Sequence, residues 1–170
     1  MTQIKFILTA SLLFFIAKNC YAQQKSQGTS SVFGVFAGST PCSPVSRPLP
    51  GIPVNTDCDV IKWKVTLYHD QSTKTPTTYK LHSIYGLPEP GTTGFIGGGK
   101  QIDIEGKWTI DKSTAPPGRK IVYRLEDSGT KKVISFLRLS DNVLHLLDSD
   151  QQLMIGSAAW SYTLNRIDNK

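Results

Sequence analysis

The chain alternates apolar and polar residues over a series of short segments that are separated by turns. In segment 61–67 every odd-numbered residue is apolar and every even-numbered residue is lysine or threonine, which is typical of a half-buried β-strand. No segment of ten or more residues holds a clean helical period, so the crossover helices of a parallel sheet are not expected. The strand candidates are 32–40, 61–67, 77–85, 102–110, 119–126, 131–139, 142–148 and 160–164.

Turn-forming residues separate these candidates, as in Asp127–Thr130, Ser140–Asn142 and Asp148–Gln151. Strands that follow one another through turns pair as antiparallel neighbours. The sequence therefore predicts an all-β fold, a single small antiparallel meander β-barrel of about eight strands. A barrel is favoured over a sandwich because closure removes the exposed strand edges that invite aggregation.

Two connections are longer than a hairpin needs. Residues 43–57 contain four prolines and lie between the cysteines at 42 and 58, whereas residues 86–101 are rich in glycine. Long loops at a barrel mouth commonly carry binding function. We therefore expect these two loops to form a mouth that faces a partner, on a barrel that stays folded when loop 43–57 is shortened.

The first 22 residues have the composition of a secretory signal peptide. A basic start precedes an apolar run at 6–17, which is too short to cross about 30 Å of hydrocarbon as a helix. Ala22 suits a signal peptidase, so we predict a mature protein that begins at Gln23. The expected organisation is signal peptide 1–22, flexible lead-in 23–31 and barrel domain 32–170.

Cys20 offers a second processing route, lipid attachment, although the preceding Ala17-Lys18-Asn19 is a poor lipidation box. The expected location is therefore the periplasm, with association to the outer membrane if Cys20 carries a lipid. Removal of residues 1–22 takes two lysines and no acidic residue, so the net charge falls from +6 to +4. This mild basicity predicts no nucleic-acid partner. We expect a monomer with no transmembrane span in the mature chain and an unidentified protein or small ligand as partner.

Cys42 and Cys58 are the only cysteines after residue 22. Outside the cytoplasm such a pair is expected to form a disulfide. A reduced pair would suit a soft metal ion such as Cu(I), which remains the alternative.

The sequence holds no catalytic set, and we expect no enzyme activity, cofactor or resident metal. Gly94–Lys100 has the spacing of a phosphate-binding loop, but Gln101 follows the lysine and a strand pattern follows that, so we reject nucleotide binding. His69, His82 and His145 are not paired at metal-ligand spacing, although a barrel could bring them together.

Three tryptophans, Trp63, Trp108 and Trp160, lie on the apolar faces of different strand candidates, as does Tyr123. The simplest interpretation is that they are core residues. The alternative is an aromatic-lined cavity for a lipid-like ligand, since an eight-stranded barrel can be filled by side chains or can hold one small molecule.

Several short motifs together resemble the N-terminal domain of the NlpE family, envelope lipoproteins linked to copper resistance. The opening strand and turn at 34–42 resemble the family's G-x-Y-x-G strand that leads into P-C-x-x-C. Residues 106–110 resemble its G-x-W strand, 144–148 its L-x-x-L-D turn and 160–166 its closing Y-x-L-x-R strand. The resemblance covers roughly residues 32–167.

This resemblance implies a small lipocalin-like barrel in the cell envelope with a role in copper tolerance or in sensing envelope stress. The chain departs from the family pattern at the cysteines, because 15 residues separate Cys42 from Cys58 instead of two. That spacing suggests a loop-closing bridge more than a vicinal copper-binding pair. The second hypothesis is a lipocalin-like carrier of a small apolar ligand.

Overall fold

Eight antiparallel strands in a computed structural model confirm the predicted all-β meander, and they close into a barrel in the order in which they follow along the chain. The structure describes residues 29–113 and 120–168. The strands are β1 Ser30–Pro41, β2 Val60–Asp70, β3 Pro76–Gly86, β4 Lys100–Ser113, β5 Lys120–Asp127, β6 Val133–Ser140, β7 Val143–Leu146 and β8 Thr163–Arg166, with a 3-10 turn at Ile96–Gly98.

Each of the first four strands is longer than its sequence prediction, and each of the last three is shorter. Strand β1 begins earlier than expected, because Ser30 and Ser31 of the predicted lead-in pair with β2. Strand β8 is shorter than the predicted 160–164, since pairing begins at Thr163. The predicted signal peptide 1–22 and the lead-in residues 23–28 lie outside the described residues.

Because neighbouring strands run in opposite directions, their connections alternate between the two ends of the barrel. The connections after β1, β3, β5 and β7 lie at one end, called the loop end here, and span 42–59, 87–99, 128–132 and 147–162. Thr29 and Asp168, where the described chain begins and ends, lie at the opposite end. None of the described segments forms an apolar helix long enough to span a membrane.

The inward faces of all eight strands supply the hydrophobic core. Fully buried side chains include Phe36, Leu67, Trp108, Leu125 and Phe136, and their burial drives the closure of the sheet. The ring centroids of Trp108 and Tyr123 lie 5.2 Å apart in an edge-to-face arrangement, the geometry that the ring quadrupoles favour. Side chains therefore fill the barrel interior.

Two glycines allow neighbouring strands to approach each other closely. A Cβ on Gly106 of β4 would lie 1.9 Å from the carbonyl oxygen of Glu126 on β5, and a Cβ on Gly38 of β1 would lie 2.4 Å from the carbonyl oxygen of Thr163 on β8. Both neighbours are backbone atoms, which cannot rotate away as a flexible side chain can. Closure of the barrel at these two seams therefore depends on glycine.

Candidate functional site

The two long connections noted in the sequence lie together at the loop end, as expected. They meet through the backbone, where the amide of Asp59 donates to the carbonyl of Gly86 at 3.0 Å. A third connection, 147–162, contacts loop 43–57, since the Tyr162 hydroxyl lies 3.3 Å from Oγ of Ser43. The loop end is therefore a single surface built from three connections.

The predicted disulfide between Cys42 and Cys58 is present, with the two Cα atoms 5.7 Å apart. Both residues are buried, and they fix the ends of loop 43–57 where strands β1 and β2 begin to separate. A disulfide sulfur is a far poorer metal ligand than a thiolate. In this oxidised form the pair acts as a structural clamp.

Arg47 forms a second clamp inside the same loop. Its guanidinium donates to three backbone carbonyls, those of Cys42 at 3.1 Å, Val54 at 2.7 Å and Cys58 at 3.1 Å. Ser46, which is fully buried, donates from its hydroxyl to the carbonyl of Pro41 at 2.6 Å. These bonds satisfy polar backbone groups that a folded loop would otherwise leave unpaired.

Loop 43–57 also sends side chains into the barrel. Leu49 and Ile52 are buried and belong to the main hydrophobic cluster of the protein. The loop therefore plugs the barrel at its loop end, and only its outer side is available for contact with a partner. Replacing the whole loop would remove core residues, so a test of binding needs exposed point variants in place of the loop shortening considered from the sequence.

The glycine-rich connection 87–99 lies beside this plug and is held by Phe95. That ring is buried, and the Lys62 ammonium lies 5.0 Å from its centroid, a cation–π arrangement. Gly97, Gly98 and Gly99 all have positive φ, so the backbone turns back into β4 without forming the helix that a phosphate-binding loop needs. The rejection of nucleotide binding at Gly94–Lys100 is consistent with this geometry.

A shallow groove of about 250 Å³ runs between the two connections. Asp57 is its lining residue from loop 43–57, and Tyr85 and Lys100 line it from the strands on either side of connection 87–99. Two of its lining side chains are exposed and apolar, Ile96 at 58% and Leu87 at 36%. Contiguous exposed apolar side chains on a small protein commonly mark a contact surface.

The three histidines lie apart. His69 packs beside the Phe33 ring, His82 lies 2.7 Å from the carboxylate of Asp103 on the outer face, and Nε2 of His145 lies 2.9 Å from the carbonyl oxygen of Met154. Among the described residues, no group of three or more His, Cys, Asp and Glu side chains is placed to hold a metal ion. The barrel therefore does not bring the histidines together.

Two of the three tryptophans are core residues, as the sequence predicts, but Trp160 is not. Trp63 and Trp108 are buried, whereas Trp160 is 40% exposed. Trp160 closes a turn in which its carbonyl accepts from the Ser157 amide at 2.8 Å. The apparent alternation at 160–164 is therefore a turn followed by a short strand.

Four buried hydroxyl groups have no hydrogen-bond partner among the described residues, those of Thr77, Tyr79, Ser83 and Ser135. Tyr79 and Ser83 lie on the inward face of β3, with Leu81 between them. Burial raises the pKa of the Tyr79 hydroxyl, and the carboxylates of Asp127 and Glu126 raise it further. Tyr79 therefore stays a neutral hydrogen-bond donor and acceptor.

The end opposite the loops is closed by Arg166, a contact that alternation alone could not reveal. Its side chain is 5% exposed, and Nε lies 3.1 Å from Oδ1 of Asp168. The guanidinium also packs against the rings of Phe33 and Phe36. Burial on its own would raise the pKa of Asp168, but hydrogen bonds from the Val35 amide and from Arg166 outweigh it and hold that pKa below its ordinary value.

Comparison of the chain with protein-family models, with curated proteins and with solved structures finds no match.

Proposed function

We propose that this protein is a non-enzymatic binding protein of the cell envelope, of the NlpE type, linked to copper tolerance or to the envelope-stress response. The observation that carries the proposal is the plugged loop end, where a disulfide-held loop seals a filled barrel and leaves an apolar groove outside. A partner then binds to the outer surface of the barrel and not in its interior.

The residues behind the family resemblance support the proposal because the barrel needs them. Gly38 and Gly106 stand where adjacent strands leave no room for a Cβ. Arg166, from the closing motif, packs across the end of the barrel. The motif residues Gly38, Gly106 and Arg166 therefore each have a structural role in closing the barrel.

The metal-linked part of the proposal is tested by titration of Cu(I) into protein purified from the periplasm. We expect weak or no binding to the oxidised protein and clear binding after reduction, because only thiolates are strong ligands for this soft ion. Equal affinity in both states would place copper at other residues.

The partner-binding part is tested in cells that depend on the protein for copper tolerance or stress signalling. The double variant Leu87→Ser and Ile96→Ser should lose activity while its unfolding curve stays unchanged, because both side chains line the groove and are exposed. Ile155→Ser is the matched control, since Ile155 is 91% exposed on a different connection. Full activity of the double variant would move the site away from the groove.

A second candidate, a lipocalin-like carrier of a small apolar ligand, is favoured by one observation. The unpartnered Tyr79 and Ser83 hydroxyls lie inside the barrel, and a small ligand with a polar end would bond to one of them after displacing the side chains packed around it. Native mass spectrometry of the purified protein distinguishes the two candidates. A bound small molecule that is lost in Tyr79→Phe would support the carrier, and unliganded protein would support the first proposal.

A further inference from the structure

A second feature lies in the barrel wall just below the loop end, where β4 is longer than its neighbours. Strand β3 pairs with β4 from Lys100 to Lys107, but β5 pairs with it only from Gly106 to Ser113. The first six residues of β4 therefore have a strand on one side only. The last contact on the other side is the Ser128 amide, which donates to the carbonyl of Glu105 at 3.0 Å.

The main-chain groups on this side form a free edge. Successive residues of a strand direct their amides and carbonyls to opposite sides, so Gln101 and Asp103 point the same way as Glu105. Among the described residues, neither has a backbone partner in that direction. Unpaired strand edges of this kind are templates for a further strand.

A cavity lies against the inner side of the same edge. It measures about 150 Å³ and is lined by the apolar side chains of Ile104, Leu49, Pro50 and Ile134, together with Gly51 and the polar residues Asp127, Thr130 and Lys132. Ile102 and Ile104 are only half-buried, although they face inward with the core. One aliphatic side chain from an added strand would cover this surface and fill the cavity.

The outer side of the edge carries two carboxylates, which lie across from His82 and Lys80 of β3 in the strand register. Asp103 and Glu105 are exposed and point outward. Hydrogen bonds from Gln101 and then from His82 lower the pKa of Asp103, so it stays charged near neutral pH. Across an antiparallel pair, an opposite charge stabilises and a like charge destabilises.

These features select against a second copy of the chain as the added strand. A two-fold pairing that uses the whole free edge, with 101 opposite 105, places Asp103 directly opposite its own copy. Two like charges would then meet at the centre of the pair. A strand with basic residues at alternate positions has no such conflict.

We propose that the free edge of β4 at Lys100–Glu105 binds an extended segment of a partner protein, with basic side chains outward and an aliphatic side chain in the cavity beside Ile104. The added strand continues the barrel wall past the point where β5 ends. This inference does not rest on the copper-linked role, and a failure of either leaves the other standing.

The test uses the oxidised mature protein and a synthetic peptide, acetyl-Lys-Leu-Lys-Val-Thr-amide, at up to about 1 mM, the weak end of specific affinity. Its central lysine would lie opposite Asp103 and its leucine opposite Ile104, with its first lysine at the point where Ser128 ends the free edge. Amide hydrogen exchange at Asp103, read by NMR, should slow about twofold where the peptide concentration equals Kd and further as binding saturates, because a free edge amide becomes hydrogen-bonded. The same peptide methylated on the backbone nitrogen of its central lysine keeps its charge and should not slow exchange.

Two protein variants make the result decisive. Asp103→Pro removes an amide that has no partner in the barrel, so the fold should persist while peptide binding is lost. Asp103→Lys with Glu105→Lys keeps both amides, and it should reject the basic peptide and bind acetyl-Glu-Leu-Glu-Val-Thr-amide. The proposal is overturned if the methylated peptide binds equally well, if Asp103→Pro binds unchanged, or if the edge amides are already protected in a concentration-dependent dimer.

Discussion

Reduction of the Cys42–Cys58 disulfide should lower the free energy of unfolding by about 3 kcal/mol without unfolding the barrel. The cysteines are 16 positions apart, and closing a loop of about 17 residues removes roughly 10 cal/mol/K from the entropy of the unfolded chain. Reduction restores this entropy to the unfolded chain. With unfolding entropies of about 2.1 cal/mol/K per residue, reduction should lower Tm by roughly 10 °C in a barrel of this size.

The fold should persist after reduction because the loop is held in other ways. Leu49 and Ile52 remain in the core, and Arg47 still donates to three loop carbonyls. Urea unfolding of oxidised and reduced protein measures the difference directly. The m value should rise on reduction, since the unfolded chain then exposes more surface.

Leu49→Ala in the oxidised protein is the matched comparison. It acts on the folded state through a cavity and should lower the free energy of unfolding by about 2–4 kcal/mol with m unchanged. If reduction lowers the free energy of unfolding by less than about 1 kcal/mol, or unfolds the protein entirely, the reasoning from loop closure is refuted.

Two further predictions concern the seams and the closed end of the barrel. Gly106→Ala should destabilise by at least about 2–3 kcal/mol in chemical unfolding, because its Cβ would meet the carbonyl oxygen of Glu126 at 1.9 Å; a change under about 0.5 kcal/mol would show that the strands can separate freely. Asp168→Asn should lower the free energy of unfolding by about 1–2 kcal/mol at pH 7, because the hydrogen bonds to the Val35 amide and Arg166 become weaker. Since the folded pKa of Asp168 is depressed, this difference should be full above about pH 4 and shrink as pH falls further, and a difference that grows in acid would contradict it.

The strands were predictable because each inward face repeats locally, as in segment 61–67. The prediction for Trp160 was wrong because it belongs to a turn that runs from Ser157 to Trp160. The residues that follow continue the alternation, but only those from Thr163 pair as a strand. Periodicity describes only residues that are close in sequence, so it cannot distinguish a strand from a turn whose residues alternate in the same way.

The plug and the free edge could not be read from the sequence for a different reason. Leu49 and Ile52 lie among prolines, and their burial depends on a barrel interior formed by residues far away in sequence. The free edge arises from the register between β4 and β5, whose pairing starts at Gly106, where the two strands approach closely. The disulfide was predictable because composition left one pairing, whereas the Arg47 clamp has no local pattern that distinguishes it from a surface arginine.

The position of the chain ends gives the barrel a direction. Thr29 accepts a hydrogen bond from Gln71, and Asp168 accepts one from Val35, so both ends of the described chain leave from the side opposite the loops. A tether at either end, whether a lipid anchor, an affinity tag or a surface linker, would hold the groove and the plug pointing away from the support. Attachment through the turn at 128–132 would instead press the loop end against it, so two immobilised forms of one protein would differ only in which end a partner can reach.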